Sequence, residues 1–390
     1  MIAKVHGSSI NSGDHLVSFI QFLYFSLCLV LLPLNMAAIV SLLLLCVCSY
    51  IISVYDAQAT ISLVPALYIF GDSTVDGGNR LTSGTPYGID LNTTAPIRWT
   101  NGETIADFVA IFLGLPLVPP YIDMSQAGIS RMGVNYAFAG CGILPQTGQN
   151  GWSLDGQIEK FNSTLRNNLT KMFSDPDLLQ HLKNSIFLFS FGINDYVRLY
   201  LPKNSGTLSK LSPDAFAQFL QNELSVGLTT LYGWGARKFL VNNIWPLGCT
   251  PLYANASDPL AICCNETINQ LVRPYSNKLP VMLQELQSNL SGAVFSHSND
   301  FEFVEDLKEN PTNYGNMRVL QLLLERITNT TGECHSTLTD FLCSNRDQYL
   351  YFDYLHTTQA ANHRSNKWQS KKGSQRKHDD LSEKNMKQTQ

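Results

Sequence analysis

The sequence lacks the residue spacings by which several common kinds of site are recognised. No two cysteines stand at C-x-x-C spacing and no two histidines at H-x-x-x-H spacing, so the sequence gives little support to a zinc site. The G-x-S-x-G elbow of α/β-hydrolases is also absent, and that family is not supported. No internal repeat is visible.

An excess of positive charge is missing as well. The 390 residues include 27 Lys and Arg against 31 Asp and Glu, and this net charge of -4 does not indicate a nucleic-acid partner. With 44% hydrophobic residues, the composition is globular and sufficient for one large core. Residues 363–390 are polar and basic, and we predict a disordered tail because they cannot bury enough surface to offset the entropy of ordering. A basic interaction tail is the alternative.

Two apolar stretches open the chain, and the second covers residues 37–54. Ala57-Gln58-Ala59 follows it with the A-x-A pattern that signal peptidase cleaves. If translation begins at Met36, residues 1–35 are an upstream extension and an ordinary signal peptide follows. We therefore expect a leader over residues 1–59, a secreted, extracellular protein, and no stable membrane span in the mature form. A retained membrane anchor or a two-helix hairpin is the alternative.

The cysteines agree with export. Three of the nine lie in the leader, and the even number that remains suggests disulfides in an exported chain. Cys334 with Cys343 would close a short loop, and Cys249 could pair with Cys263 or Cys264. Sequons for N-glycosylation give modest further support to a secreted glycoprotein. They stand at Asn92, Asn162, Asn168, Asn255, Asn265, Asn289 and Asn329.

Short apolar runs alternate with helical patterns after the leader. Such runs suit a parallel sheet covered on both faces, and the alternation predicts a three-layer α/β/α sandwich with a mostly parallel sheet. Strands are predicted at residues 65–70, 185–191, 238–242 and 293–296. Helices are predicted at 213–232, with Ser212 as the N-cap, at 265–287 and at 317–326.

Doubly wound sheets place their sites at the carboxyl ends of strands, which directs attention to two loops. Gly71-Asp72-Ser73 follows the first predicted strand, and Gly192-Ile193-Asn194-Asp195 follows the second. A serine hydroxyl is a poor nucleophile until a base takes its proton, and the base is usually a histidine held by a carboxylate. Asp353 precedes His356 by three residues, so the two side chains can meet on a turn.

Acyl transfer at a serine also needs donors for the developing oxyanion. Asn194 could supply a side-chain amide, and Gly140 a backbone N–H without a Cβ in the way. Singly, each candidate has an ordinary structural explanation. Ser73 could cap a helix, Asn194 and Gly140 could belong to turns, and the Asp–His pair could be a surface pair. Their combination is what predicts a catalytic site.

Four blocks of sequence, in order, resemble those of the plant GDSL esterase/lipase family, within the SGNH hydrolase superfamily. They are FGDSTVDGGN at 70–79, VNYAFAGCGIL at 134–144, FGIND at 191–195 and DYLH at 353–356. Connecting stretches at 86–90, 98–102 and 243–251 match too. The resemblance covers roughly residues 66–362, and we expect the hydrolase domain to occupy residues 60–362.

The resemblance implies a flavodoxin-like SGNH hydrolase fold and an enzyme that hydrolyses carboxylic esters through an acyl-enzyme, without a metal or organic cofactor. Ser73 would be the nucleophile, and its N–H, that of Gly140 and the Asn194 amide would form the oxyanion hole. His356 would be the general base, with Asp353 as its orienter. The ester partner would be a lipid, a polyester, or an acetylated carbohydrate or metabolite. Asp72, Asp76 and Asn79 are expected to hold the first loop together.

The chain departs from the family pattern near two of the blocks. Phe138-Ala139-Gly140-Cys141 replaces Ser-Gly-Gly-Ala, which would narrow the pocket, and Thr357-Thr358-Gln359 replaces Pro-Thr-Glu. The family's last helix is expected to be missing, because the chain becomes basic and polar at His363, and this loss would loosen His356. Two alternatives therefore stay open: a secreted or anchored non-catalytic scaffold protein, and an acyltransferase that uses the same site.

Overall fold

The computed structural model describes residues 62–372 apart from several loops. The gaps are residues 83, 85, 92–97, 124–130, 149–150, 203–205, 255–263, 316 and 323–344. The described residues belong to the compact unit that begins at Ser62. The predicted leader, the end of the tail beyond residue 372, and Cys263, Cys334 and Cys343 lie outside them.

Four parallel strands form the central sheet in the order β1-β2-β3-β4. They are β1 (Leu67–Gly71), β2 (Ile186–Ser190), β3 (Lys238–Asn242) and β4 (Val294–His297). Each lies where an apolar run predicted a strand. Aromatic side chains pack across neighbouring strands, and the Phe70 ring stacks on that of Phe189 with centroids 4.9 Å apart. Strands β1 and β2 are almost entirely buried, which explains their near-continuous apolar runs, whereas β4 at the edge of the sheet is only partly buried.

A fifth segment, residues 132–138, runs parallel to the outer edge of β1 and is joined to it by four main-chain hydrogen bonds of 2.7–3.0 Å. Counted as a strand, it gives the order 2-1-3-4-5 of flavodoxin-like sheets. The connection after β1 therefore leads to this segment on one side of β1, and the next connection crosses to the opposite side of β1, where β2 lies. A crevice opens at the carboxyl end of β1 where the connections diverge, and Ser73 lies there.

Helices separate the strands in sequence, and about half of the described residues are helical. This share includes short helical turns, and the helices of eight residues or more are α1 (Ile105–Phe112), α2 (Leu154–Thr164), α3 (Asp175–Asn184), α4 (Pro213–Gly233), α5 (Glu266–Asn289), α6 (Asp300–Glu309) and α7 (359–372). The predicted α/β sandwich around a parallel sheet is confirmed. In the described part of the chain, no helix has both the length and the apolar character needed to cross a bilayer.

Helix α4 begins at the Ser212 cap that the sequence predicts, whereas α5 begins at Glu266, one residue after its predicted start, with Asn265 as its cap. The Ser212 hydroxyl accepts the N–H of Ala215 at 3.1 Å at the start of α4. The Asn265 side chain accepts the N–H of Ile268 at 3.2 Å at the start of α5. Each cap satisfies a backbone donor that has no partner within its helix, and so defines where the helix begins.

The helix predicted over residues 317–326 is wrong. Residues Arg318–Leu322 form β5, which pairs in parallel with β6 (Tyr349–Tyr351) in a second, two-stranded sheet. A short apolar run cannot be assigned to helix or strand by periodicity alone, and here a distant pairing partner outweighs the helix propensity of the leucines.

The expected loss of the last helix is also wrong, because residues 363–372 continue α7 instead of beginning a disordered tail. Ala361, Ser365 and Trp368 recur at helical spacing on its buried face. The Trp368 Nε1–H donates to Asp306 on α6 at 2.7 Å, and the Asn366 amide donates to the Ile105 carbonyl at 3.1 Å. The prediction was wrong because it rested on the polar composition of the segment, whereas a few buried residues at helical spacing are enough to pack this helix on the domain.

One disulfide, Cys249–Cys264, joins the segment after β3 to the start of α5 and decides between the two partners left open for Cys249. Cys141 is buried and unpaired, and its Sγ–H donates to the Gly71 carbonyl at 3.2 Å. The even number of cysteines therefore overstated the disulfide framework, because Cys141 packs beneath the loop that follows β1.

Candidate active site

The loop after β1 holds Ser73 in a sharp turn. The N–H of Asp72 donates to the Ser190 carbonyl at the end of β2 at 3.1 Å, while the N–H and hydroxyl of Thr74 donate to Asp72 Oδ1 at 3.0 and 2.7 Å. Gly71 has no room for a side chain, since a Cβ would lie 2.7 Å from the Ser190 carbonyl oxygen. The turn therefore directs Ser73 into the crevice, where it is buried.

Asp353 and His356 lie on a turn that follows β6. The N–H of Phe352 donates to the His356 carbonyl at 2.7 Å, and Asp353 Oδ1 accepts the N–H groups of Leu355 and His356 at 2.8 and 2.7 Å. The spacing of three residues brings the side chains together as predicted, with His356 Nδ1 2.6 Å from Asp353 Oδ2. The Tyr87 hydroxyl donates to the same oxygen at 2.9 Å.

The two loops meet at the hydroxyl of Ser73. His356 Nε2 lies 2.8 Å from Ser73 Oγ, although 283 positions separate the residues in sequence. When Nδ1 carries a proton and donates it to Asp353, Nε2 is the acceptor that the serine hydroxyl needs. The three side chains therefore have the geometry that a nucleophile, a base within proton-transfer distance and an orienting carboxylate require.

The charges of the Asp–His pair support this protonation pattern. Burial by itself would lower the pKa of His356, but the charge and hydrogen bond of Asp353, with a contribution from Asp72, outweigh it and raise that pKa. Burial opposes ionisation of Asp353, yet the neighbouring imidazole and the hydrogen bonds from His356 and Leu355 hold the pKa of Asp353 below its ordinary value. Asp353 is therefore ionised at neutral pH.

The loops that carry Ser73, Gly140 and Asn194 offer three donors that are candidates for a developing oxyanion. Among the described residues, neither the N–H of Ser73 nor that of Gly140 donates to a protein acceptor. The Asn194 amide donates one hydrogen to the Cys141 carbonyl at 2.9 Å. Its second hydrogen makes no hydrogen bond within the described residues. Unpaired donors at a buried site are suited to stabilise new negative charge. Gly140 adopts a φ of +79°, which favours glycine.

Two buried carboxylates hold the segment that carries Gly140. Asp76 accepts the N–H of Ala139 at 2.8 Å and those of Gly78 and Asn79 at 2.8 and 2.7 Å. Asp195 accepts backbone N–H groups on the other side of Gly140, at Ile143 and Leu144. Burial raises the pKa of each carboxyl to about 6. Asp76 therefore holds the first loop as expected, and it connects that loop to the second block.

Some positioning residues were not predicted from the sequence. Tyr87, which orients Asp353, lies in a stretch that matched the family, but nothing in its local pattern indicated this contact. Gln157 on α2 had no signal, yet its amide accepts the N–H of Gly71 at 2.9 Å and donates to the Gly71 carbonyl at 2.8 Å. Across the described residues, no group of three His, Cys, Asp or Glu side chains is arranged to hold a metal ion.

Known proteins are similar to this sequence over most of its length. Residues 67–368 match the family model described as GDSL-like Lipase/Acylhydrolase, and the match includes most of α7. Similar proteins of Arabidopsis thaliana include GDSL esterase/lipase At5g08460, at 33% identity over 79% of this chain and 83% of that protein. GDSL esterase/lipase 7 is 34% identical over 77% of this chain and 86% of that protein. The chain therefore belongs to the GDSL-like lipase/acylhydrolase family, and the prediction of a carboxylic ester hydrolase from its motifs is confirmed.

Proposed function

We propose that this protein is a secreted esterase or lipase that cleaves carboxylic esters through an acyl-enzyme on Ser73. The observation that carries the proposal is the 2.8 Å contact between Ser73 Oγ and His356 Nε2. The hydrogen bond from His356 Nδ1 to the ionised Asp353 supports it, because this bond leaves Nε2 free to accept a proton.

In the first half of the reaction, Ser73 Oγ attacks the ester carbonyl carbon while His356 Nε2 takes the hydroxyl proton. The carbonyl oxygen becomes negatively charged and accepts hydrogen bonds from the N–H groups of Ser73 and Gly140 and from the Asn194 amide. The bond to the alcohol then breaks, and the alcohol leaves with the proton from His356. Asp353 stabilises the imidazolium that exists between these steps.

In the second half, water attacks the acyl group on Ser73, with His356 as its base and the same donors around the oxyanion. The carboxylic acid is released when the bond to Ser73 Oγ breaks and His356 returns the proton to that oxygen. An alcohol in place of water would give acyl transfer at the same site. This alternative would be detected as product ester at high acceptor concentration. The non-catalytic alternative rested on the expected loss of the last helix, and α7 is present.

Asn194→Ala is expected to lower kcat on p-nitrophenyl butyrate by about 10²–10³-fold, because the amide bonds an oxygen whose charge develops only in the transition state. Steady-state kinetics would measure the loss, and the thermal unfolding midpoint would show whether the fold is intact. Asn167→Ala, at an exposed position after α2, is the matched control and should keep wild-type activity. A rise in KM with unchanged kcat would contradict the assigned role.

The pH profile of kcat/KM is expected to rise as His356 loses its proton, since only the neutral imidazole can accept the Ser73 proton. Because Asp353 raises the pKa of His356, the midpoint should lie above 6.5, the ordinary value for histidine. In Asp353→Asn the carboxylate charge is gone, so the midpoint should move to lower pH while the rate falls. A midpoint that stays in place would contradict the coupling between these residues.

Secretion is supported by the A-x-A pattern at Ala57-Gln58-Ala59 after an apolar run, and by the Cys249–Cys264 disulfide, since such bonds persist in oxidising compartments. Glycosylation would use exposed sequons such as Asn289, because Asn162 is buried. Sequencing of the mature N-terminus is expected to find a start close to Thr60. A start well before Val54 would contradict a cleaved leader.

A further inference from the structure

We propose that Arg80 and Arg198 form an anion-binding subsite beside Gly140, and that this subsite selects esters with an anionic oxygen group, a carboxylate or a phosphate, near the scissile carbonyl. The inference rests on the proposed esterase function and adds a substrate class to it. Both arginines come from the loops that carry the catalytic groups. Arg80 follows Ser73 after β1, and Arg198 follows Asn194 after β2.

The two guanidinium groups converge on the backbone of Gly140. A Cβ at this position would lie 2.5 Å from Arg80 Nη1 and 2.8 Å from Arg198 Nη2. Both positive groups therefore lie within a few ångströms of the N–H that is available for the oxyanion. An anionic group bound between them would be next to the reacting carbonyl, on the side of the crevice formed by the second sequence block.

No protein carboxylate neutralises this pair within the described residues, since neither arginine takes part in any of the ion pairs found there. Burial and the nearby charge of Arg80 both lower the pKa of Arg198. Two close guanidinium groups repel each other. An anion bound between them would be attracted to both, and this attraction would offset the repulsion. The buried carboxylates of Asp76 and Asp195 are instead bound by backbone N–H groups.

Arg80 is held in position before any ligand binds. Its Nη1–H donates to the Ala139 carbonyl at 2.8 Å, and its guanidinium lies over the Trp99 ring at 5.5 Å. The Trp99 ring in turn lies 5.9 Å from that of His356. Arginine has five N–H donors in a planar fork, so most remain for a carboxylate or phosphate. Arg198 is more exposed and would complete the subsite from the solvent side.

The test compares esters that differ by one charge. The first pair is p-nitrophenyl hexanoate and mono-p-nitrophenyl adipate, which place a methyl group or a carboxylate at the end of equal acyl chains. The second pair is 1-hexanoylglycerol and 1-hexanoylglycerol 3-phosphate. Wild type is expected to favour at least one anionic member by about tenfold or more in kcat/KM, and added salt should weaken this preference. The pair that shows it identifies the source of the anion.

Arg80→Gln and Arg198→Gln are each expected to reduce about tenfold the ratio of kcat/KM for the anionic ester to kcat/KM for the neutral ester, with both esters measured on the same variant. Lysine at either position should restore part of it, because the charge returns without the planar fork. Arg166→Gln, which removes an exposed charge after α2, is the control and should keep the full preference.

Three outcomes separate the two levels of the proposal. Equal kcat/KM for the neutral and anionic members of both pairs in wild type would overturn the subsite and leave the esterase function intact. An equal loss on neutral and anionic esters in the arginine variants would also overturn it, because the arginines would then only hold the loops around Gly140 in place. Failure of wild type to hydrolyse any of the four esters would refute the proposed function itself.

Discussion

Ser73→Ala is expected to lower kcat on p-nitrophenyl butyrate by about 10⁴-fold or more, because the proposed acyl-enzyme forms on the hydroxyl that this change removes. His356 Nε2 lies 2.8 Å from the Ser73 hydroxyl in the wild type and would have no hydroxyl proton to accept in the variant. Residual activity above water would reflect only the oxyanion donors and substrate binding. A fluorophosphonate probe should add its mass to Ser73 in wild type and leave the alanine variant unlabelled.

The matched control is Ser185→Ala. Ser185 is buried at the amino end of β2, opposite the crevice, and its hydroxyl donates to the His181 carbonyl at 2.7 Å. This change also removes a buried serine hydroxyl but leaves the proposed site unchanged, so activity should persist in the folded protein. Comparison of the two unfolding midpoints separates loss of chemistry from loss of fold. Wild-type activity in Ser73→Ala would refute the acyl-enzyme proposal.

His356→Ala is the second change with a large expected effect, a loss in kcat of about 10⁴-fold or more. In the proposed mechanism the imidazole accepts a proton, from Ser73 or from water, and then returns it in each half of the reaction, so its removal affects both halves. Because serine and histidine act as one unit, the double variant Ser73→Ala/His356→Ala should be no slower than either single variant. Fully additive losses would indicate that the two residues act independently.

His363→Ala provides the control for this histidine. His363 is exposed on α7, where its ring packs on Phe108 at 5.1 Å, away from Ser73. Its removal should leave kcat close to that of wild type. If His363→Ala instead reproduced the loss seen in His356→Ala, the assignment of the base would be wrong.

Some of the fold was predictable because its signals are local. The apolar runs that became β1 to β4 are short and bounded by turn residues, and Ser212 caps α4 through a contact within three positions. Where the signal was ambiguous, the prediction failed. The strand Arg318–Leu322 exists through pairing with Tyr349–Tyr351, which is remote in sequence. Helix α7 depends on Trp368 and its partner Asp306, not on overall composition.

The candidate site divides in the same way. Ser73 and Asn194 follow predicted strands, and Asp353 and His356 share a turn, so ordinary strand and turn rules indicated them. Residues that act by supporting others had no comparable signal. Gln157 lies within a helix, and only its place beneath Gly71 gives it a role.

By itself, the sequence determined strands β1 to β4, the Ser212 cap of α4 and the candidate residues at the ends of two strands, because periodicity, capping and turns are encoded within a few residues. Only the tertiary structure decided that His356 reaches Ser73 and that two arginines converge on Gly140. Such contacts depend on the order of strands in the sheet and on the packing of distant loops, and no local pattern specifies either.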